Sequence, residues 1–502
     1  MSGYLALVIS AHVPYLRSAG PRPDGEDRLH EMIADVLIPL INTLGDLRDL
    51  GAPVRVALAC SPILLEQLAD PVVQKHCMLW MDERVARARD DLVRAERAGD
   101  QHRVYLARFY LDWEEGLQRS FVERYGRNLL APLRALCGEG LVEPLSGAAT
   151  HAYLPLMRDE GLRAQLDIGS LSCTQRLGQR PLGLWLPECG YHPRLLPYLS
   201  ACDARYVILD PTSLNGDTPD GRPRRLGTRH LAGFARDAAL ARQVWSPDLG
   251  YQGDPLFRSA RRDPDSGFGY WRQGVRGDDE PYDPYHAFQR AREHAAHFAQ
   301  LLTAALDHTP SPHQPPPIAV VTCDASLLGG RWFEGITWLR ALLEQTARHP
   351  VLSLTSPGDY LRSHPPRYSA PSRPGDWSEA GGAREWSGAA TLPLWLTLQQ
   401  TEERLATVIR ATTNTTEAQE RALAQALREL LLAQSSDWSL LLTRLLDSPE
   451  ALTRPLRHLQ RCDRLCDLVE LPWLTEEDLR FLDEVEELDN PFPNLNYRVF
   501  AS

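Results

Sequence analysis

The sequence predicts a parallel α/β barrel that carries a helical insertion and is followed by an all-helical domain. Three observations predict this fold class. Short apolar runs alternate with stretches of helical periodicity through the first 363 residues. Several runs end in polar or turn-forming residues, as expected of barrel strands whose C-terminal ends carry reacting groups. Beyond residue 363 the strand pattern gives way to apolar residues at helical spacing.

The first part of the barrel is predicted from its alternating pattern. An apolar run at residues 4–9 indicates a buried strand, and it is followed by a turn that contains His12. A helix is expected at 26–47 and a second strand at 54–59. Residues 65–134 show helical spacing and no strand pattern. Because this stretch is too long for one crossover, we expect a helical insertion there.

The later strands are predicted to deliver further polar residues. A strand at 141–145 leads towards His151, a strand at 183–186 leads to Glu188, and a strand at 318–322 ends before Asp324. A strand is also expected at 206–209. The polar, aromatic stretch 261–283 indicates a surface loop over a site. We place the domain boundary before residue 364, giving a barrel domain at 1–363 and a helical domain at 364–502.

Composition limits the classes of partner. The formal net charge of −12 over 502 residues argues against nucleic acid or an acidic membrane surface as the main partner, and it suits a neutral substrate. No apolar run reaches the length of a membrane span. The N-terminal segment has no basic leader, so we expect a strand rather than a signal peptide and a cytoplasmic protein. The nine cysteines show no metal-binding spacing.

Four predicted strand ends carry groups that suit chemistry on a glycosidic bond: His12, His151, Glu188 and Asp324. Two carboxyl groups suffice for such chemistry, because one attacks the anomeric carbon while the other donates and then retrieves a proton. Each residue also has an ordinary interpretation: Glu188 as an exposed loop carboxylate, and each histidine as a hydrogen-bonded core residue. No phosphate-binding loop, serine nucleophile elbow or HExxH motif is present.

Short motifs in a fixed order then identify a family. The sequence resembles the α-glucan branching enzymes of glycoside hydrolase family 57. The motifs that carry the resemblance are His12-Val13-Pro14-Tyr15, Ala149-Thr150-His151, Trp185-Leu186-Pro187-Glu188-Cys189, Val244-Trp245-Ser246, Gly250-Tyr251-Gln252-Gly253-Asp254-Pro255, Asp324, Trp332-Phe333-Glu334-Gly335, Ser436-Asp437-Trp438 and Asn490-Pro491-Phe492-Pro493.

The resemblance implies a seven-stranded (β/α) barrel and a retaining mechanism. It assigns Glu188 as the nucleophile and Asp324 as the general acid/base, with His12 and His151 bonded to sugar hydroxyls. The candidates to stack on glucose rings are Trp245, Trp271, Trp332 and Trp438. Asp254 and Glu334 are expected either to line the site or to cap helices. No metal or organic cofactor is expected, and the expected partner is an α-glucan.

The sequence also departs from the family pattern. Ser10 stands where the family usually has a first histidine, and after the acid/base Ala325, Ser326 and Gly330 stand where the family has a threonine, an acidic residue and a histidine. Such losses remove polar support around Asp324. The leading hypothesis is still a 1,4-α-glucan branching enzyme, because the helical C-terminal domain ends in the Asn490-Pro491-Phe492-Pro493 motif. The alternatives are a 4-α-glucanotransferase, an α-amylase-type hydrolase, or an α-glucan-binding protein with weakened catalysis.

Overall fold

Eleven strands are seen in the part of the chain that the structure describes. The computed structural model describes residues 3–17, 19–20, 25–214, 221–227, 231–274, 280–307, 314–378, 384–444 and 450–501. The strands are β1 (Gly3–Ala11), β2 (Val56–Cys60), β3 (Val142–Ser146), β4 (Gly183–Trp185), β5 (Tyr206–Leu209), β6 (Arg224–Arg225), β7 (Ala232–Ala235), β8 (Trp271–Arg272), β9 (Glu280–Pro281), β10 (Ile318–Asp324) and β11 (Leu352–Thr355).

Seven of these strands form the barrel, and the predicted fold class is confirmed. They are parallel neighbours in the order β10-β1-β2-β3-β4-β5-β7. The ring closes where the amide of Asp237, just after β7, donates to the carbonyl of Val320 in β10 at 2.7 Å. Their residues are almost all buried, because a barrel strand is covered on both faces. The remaining strands add β11 beside the start of β1 and β6 antiparallel to β7.

Eighteen α-helices lie within the described ranges. They are α1 (Asp27–Glu31), α2 (Ile38–Asp49), α3 (Pro62–Ala69), α4 (Pro71–Ala98), α5 (Gln101–Arg119), α6 (Leu130–Gly138), α7 (Asp159–Leu177), α8 (Leu196–Ala201), α9 (Ala238–Trp245), α10 (Pro284–Ala305), α11 (Gly335–Ala347), α12 (Pro357–Ser363), α13 (Arg384–Ser387), α14 (Leu392–Ala411), α15 (Glu417–Ala433), α16 (Ser436–Arg444), α17 (Glu450–Glu470) and α18 (Glu476–Leu488). Among them, no helix combines the length and the apolar character needed to cross a bilayer.

Four helices, α3 to α6, fill the chain between β2 and β3, where the sequence predicts an insertion. Helices α4 and α5 begin at aspartate caps: Asp70 accepts from the Val72 amide and Asp100 from the Arg103 amide. Arg84 of α4 then forms ion pairs with Asp35 at 2.9 Å and Glu114 at 2.5 Å. The insertion is thereby fixed to the segment between α1 and α2, beside the first barrel strand.

The predicted loop 261–283 is described at residues 261–274 and 280–283, and residues 275–279 lie outside the described part. Its aromatic residues pack against the insertion: Tyr110 donates to the Gly269 carbonyl, and Tyr270 donates to the buried carboxylate of Asp91. Trp271 and Arg272 pair with Pro281 and Glu280 in a small antiparallel ribbon. The described residues of this loop thus make a structural contact with the helical insertion, and its position over a site stays a prediction.

The C-terminal helices share a core with the second half of the barrel. One apolar cluster joins residues of β4, β5 and α7 to residues of α14, α15 and α17. Arg428 of α15 lies inside this region and donates to the carbonyls of Pro491, Phe492 and Pro493. The amide of Phe492 in turn donates to Glu66 of α3 at 3.2 Å. The segment after α18 therefore bonds both to the C-terminal helices and to the barrel domain.

Candidate active site

Glu188 lies directly after β4 in a strained turn. Its backbone adopts φ 59° and ψ 20°, and Cys189 follows with φ 50°, both in the left-handed region that non-glycine residues rarely occupy. Three backbone bonds hold the turn: Cys189 N to Leu186 O and Gly190 N to Pro187 O, each 2.9 Å, and Trp377 N to Glu188 O, 3.2 Å. Strain of this kind persists only where the surroundings fix it, and it is concentrated at functional sites.

The Glu188 carboxyl group is buried among hydrogen-bond donors. Trp377 Nε1 donates to Oε2 at 2.9 Å, and Ser436 Oγ donates to Oε1 at 3.2 Å. Burial, with smaller contributions from the carboxylates of Asp437 and Asp324, raises the pKa of Glu188 to about 8 in spite of the two donors, which lower it. The charge of Asp324 therefore affects the pKa of Glu188, as expected for two carboxyl groups that act on the same bond.

His12 and His151 form a stacked pair beside Glu188. Their ring centroids are 3.8 Å apart with the planes inclined by 8°. His12 Nδ1 is 2.9 Å from Ser61 Oγ, and its Nε2 is 2.7 Å from Asp437 Oδ2. His151 Nδ1 lies 3.8 Å from Glu188 Oε1. Burial lowers the pKa of His151 well below its usual value, and the neighbouring His12 lowers it further, so His151 is neutral.

Asp324 ends β10 in a more open environment than Glu188. In the parallel register with β1 it lies opposite Ser10. Its Oδ1 accepts a bond from the Ser326 amide at 2.8 Å, and Arg331 Nη2 lies 3.6 Å from Oδ2. Its side chain is 46% exposed. The replaced residues after Asp324 thus leave it supported by a backbone amide and an arginine, and open to solvent.

Four predicted aromatic contacts divide into exposed and buried rings. Trp245 is 40% exposed at the end of α9, and Trp271 is partly exposed beneath Arg261, whose guanidinium carbon lies 4.0 Å from a ring centroid. Trp332 is 2% exposed and packs on Phe257 and Trp338 in the core. Trp438 is 3% exposed and donates to the Leu432 carbonyl. Neither buried ring offers a face to a sugar.

The two remaining carboxylates lie in local networks of their own. Asp254 accepts from His294 Nε2 at 2.8 Å and from the Leu256 amide at 2.9 Å. Glu334 is fully buried and accepts from the Tyr282 hydroxyl at 2.6 Å and from the Arg258 amide at 3.0 Å. Although Glu334 precedes α11, its side chain makes no cap bond. None of the contacts found for either carboxylate involves Glu188 or Asp324.

Three functional candidates were missed by sequence reasoning: Trp377, Ser436 and Asp437. All three lie beyond the predicted domain boundary, and all three reach the site around Glu188 and the histidine pair. The motif Ser436-Asp437-Trp438 was the available signal, but it drew attention to the tryptophan. The structure places that tryptophan in the core and presents the serine and the aspartate to the site.

The same residues include ligand types that a metal ion could use. Among the described residues, His12, His151 and Asp437 offer ligand atoms within 4.8 Å of one another, as do Glu429, His458 and Asp489. In the first group a cation would compete with the 2.7 Å bond between His12 Nε2 and Asp437. In the second group it would compete with the 2.6 Å bond between His458 Nδ1 and Glu429.

Comparison with known proteins gives consistent matches over nearly the whole chain. The model of glycosyl hydrolase family 57 matches residues 6–371, and that of the 1,4-alpha-glucan branching enzyme C-terminal domain matches 397–500. A 1,4-alpha-glucan branching enzyme of Thermococcus kodakarensis is 31% identical over 98% of this chain and 78% of its own length.

Solved structures agree with these sequence matches. The branching enzyme of Pyrococcus horikoshii superposes with a TM-score of 0.93 at 31% identity, covering 100% of this chain and 97% of its own. The α-amylase AmyC of Thermotoga maritima superposes with a TM-score of 0.87 at 27% identity, covering 100% and 99%. The likeness therefore extends over both the barrel and the C-terminal helices.

Proposed function

This chain belongs to glycosyl hydrolase family 57, and we propose that it is a 1,4-α-glucan branching enzyme that cleaves α-1,4 bonds and forms α-1,6 branches by a retaining mechanism. The observation that carries the proposal is the presence of two carboxyl groups that differ in burial and bonding, where the charge of one raises the pKa of the other. Glu188 is buried and held by two donors, whereas Asp324 is half exposed and faces solvent. The two environments distinguish two carboxyl groups, as a retaining pair requires, and the match to the family motifs favours Glu188 as nucleophile and Asp324 as proton carrier.

In the first step Glu188 acts as the nucleophile and Asp324 as the acid. Asp324 donates its proton to the glycosidic oxygen while a Glu188 carboxylate oxygen bonds to the anomeric carbon. The C–O bond to the leaving glucan chain breaks, and a covalent glycosyl-enzyme forms. Trp377 and Ser436 favour the ionised form of Glu188, because both donate hydrogen bonds to its oxygens.

In the second step Asp324 acts as a base. It takes the proton from the 6-hydroxyl of an acceptor glucan, whose oxygen displaces Glu188 from the anomeric carbon. Two inversions at that carbon retain the α configuration, and an α-1,6 branch results. Asp324 recovers the proton that it lost in the first step. Water in place of the 6-hydroxyl would give hydrolysis, so exclusion of water from the acceptor side decides the product.

Substrate contacts are proposed for the two histidines and for the tryptophans that keep exposed ring surface. His12 and His151 lie at the strand ends beside Glu188; because both ring nitrogens of His12 already bond to Ser61 and Asp437, a sugar hydroxyl would replace one of these bonds. Trp245 and Trp271 keep exposed ring surface and are proposed to stack on glucose units. We further propose a cytoplasmic location and a boundary near residue 363 between the catalytic barrel and the helical domain.

The alternative within the family is a hydrolase, since the fold is also that of an α-amylase from Thermotoga maritima. The match of residues 397–500 to the branching enzyme C-terminal domain favours branching. The test is to incubate the protein with amylose, debranch the product with an isoamylase and measure the released chains, alongside Glu188→Gln and Asp324→Asn. Short chains released only after debranching, and absent from Glu188→Gln, support branching.

Other outcomes lead to other functions. Reducing ends that appear without debranching indicate hydrolysis, and redistribution of linear chain lengths indicates 4-α-glucanotransfer. Binding of amylose without any new product would overturn the proposal of an enzyme. Asp467→Asn, an exposed change on α17, serves as the matched control because it removes a carboxylate remote from Glu188 and should leave the product pattern unaltered.

A further inference from the structure

The start of α16 is bonded directly to the turn that carries His151. The Ser436 amide donates to the His151 carbonyl at 3.1 Å, and Ala152 pairs with Ser435 in an antiparallel bridge. His151 itself has φ 60°, so its turn depends on these bonds for support. The first turn of a helix in the C-terminal domain is thereby positioned at the mouth of the barrel.

Asp437 uses this position to bind His12. Its Oδ2 is 2.7 Å from His12 Nε2, and it accepts a further bond from Ser435 Oγ at 2.7 Å. Burial alone would raise the pKa of Asp437, but the charge and hydrogen bond of His12, and then His151 and Ser435, outweigh burial and hold that pKa far below its usual value. Asp437 is therefore ionised and accepts a hydrogen bond from His12 Nε2.

The imidazole ring of His12 is stacked on that of His151, so a His12 ring held by Asp437 also fixes the position of the His151 ring. The ring centroids lie 3.8 Å apart, and burial, then the neighbouring His12, lower the pKa of His151 well below its usual value, so His151 is neutral. The hydrogen-bond network then assigns the tautomer. His151 Nδ1–H donates to Ser436 Oγ at 3.0 Å, which leaves the Ser436 hydroxyl proton to donate to Glu188 Oε1 at 3.2 Å.

We propose that Asp437, supplied by the C-terminal domain, is a positioning residue of the catalytic centre that holds His12 as a hydrogen-bond donor and so orients His151 and Ser436 towards Glu188. The inference rests on the proposed function in that it takes Glu188 as the nucleophile. Asp437 acts through its neighbours and touches no reacting atom.

The proposal predicts a change in the titration of Glu188. The charged and titratable groups around it are Asp437 and His12 on one side, His151 at 3.8 Å, and Asp324 at the end of β10. After burial, the negative charge of Asp437 is the largest influence that raises the pKa of Glu188. Removing that charge should lower the pKa of Glu188 and allow it to ionise at lower pH.

The experiment compares Asp437→Asn with Asp467→Asn. The latter removes an exposed carboxylate on α17 that pairs with Arg404. Branching rates are measured from pH 5 to pH 10. In Asp437→Asn the rate should be lower, and the midpoint of its pH–rate profile that belongs to Glu188 should move down by about one pH unit, the shift that a nearby charge typically causes. In Asp467→Asn both rate and midpoint should match the wild type.

A second readout does not depend on turnover. The carboxyl carbon of Glu188 is followed by NMR in protein labelled with [δ-¹³C]glutamate, and its signal is assigned by its loss in Glu188→Gln. The Glu188 midpoint, near 8 in the wild type, should fall in Asp437→Asn. Asp437→Glu keeps the charge and lengthens the side chain, so its midpoint should stay near the wild-type value even though its rate falls.

These outcomes separate the two proposals. A Glu188 midpoint that is unchanged in Asp437→Asn, or that moves equally in Asp437→Asn and Asp437→Glu, overturns the positioning role of Asp437 whatever the activity. A wild-type protein that forms no branches, yet shows the Glu188 midpoint shift in Asp437→Asn, overturns the proposed function and leaves the positioning role of Asp437 intact. Asp437→Glu keeps the test available if Asp437→Asn fails to fold.

Discussion

Replacing Trp377 with phenylalanine removes one hydrogen bond to the proposed nucleophile and leaves most of the ring volume in place. The lost bond is the 2.9 Å contact from Trp377 Nε1 to Glu188 Oε2. The backbone bond from Trp377 N to Glu188 O remains, so the strained turn keeps that support. The substitution therefore tests the electrostatics of one carboxyl group rather than the packing of the site.

The size of the effect follows from the bond and the pKa. A hydrogen bond to a charged group contributes about 1.5–3 kcal/mol, and about 1.4 kcal/mol corresponds to one pKa unit. Losing the bond should raise the pKa of Glu188 from about 8 to roughly 9–10. At pH 7 the ionised fraction would then fall from about a tenth to about a hundredth or less. We expect kcat/KM at pH 7 to fall by roughly 10- to 100-fold.

The sign of the pH dependence makes the reasoning refutable. Because the ionised carboxylate is the attacking form, the ratio of mutant to wild-type kcat/KM should rise with pH and approach one near pH 10. The assay is kcat/KM for branching of amylose from pH 6 to pH 10. Trp473→Phe is the control, since Trp473 is 75% exposed on the surface. An equal loss in Trp377→Phe at every pH would refute the role assigned to this hydrogen bond.

Two further predictions concern buried polar groups between the barrel and the C-terminal helices. Gln165→Leu should lower kcat by ten-fold or more, because Gln165 accepts from the Thr150 amide and donates to Gln434 and so holds the turn before His151; unchanged kcat and melting temperature would contradict this. Glu402 has a pKa raised by burial to about 7, so its contribution to stability declines as pH rises from about 4.5 to about 7. Glu402→Gln should reduce the pH dependence of the free energy of unfolding, by up to about 3 kcal/mol. Thermal unfolding of both proteins at pH 5 and pH 8 measures this dependence, and the same dependence in mutant and wild type would contradict the prediction.

The barrel and two of its key carboxyl groups could be predicted because each strand and the polar residue near its end lie next to one another in the sequence. Strand β4 is a short apolar run followed at once by Glu188, and β10 is a longer run that ends in Asp324. In a parallel barrel such ends meet on one face, so His12 and His151 could also be placed nearby. Strand β7 was missed because Ala-Gly-Phe-Ala has little of the β-branched character that marks a strand.

Asp437 and Trp377 could not be predicted because their partners are distant in the chain. Asp437 binds His12 across 425 positions, and no local pattern encodes such a contact. The aromatic predictions were limited for a different reason. A tryptophan beside a motif is equally compatible with a sugar contact and with core packing, and only burial separates Trp245 from Trp332.

The bond between His12 and Asp437 has a consequence for biosynthesis. Asp437 lies 425 positions after His12, so it leaves the ribosome long after its partner. The barrel strands can pair earlier, since domains generally fold as units during synthesis. Even so, Glu188 has no Ser436 hydroxyl until α16 emerges. A nascent chain that has completed its barrel thus carries an incompletely bonded Glu188 until α16 has also emerged.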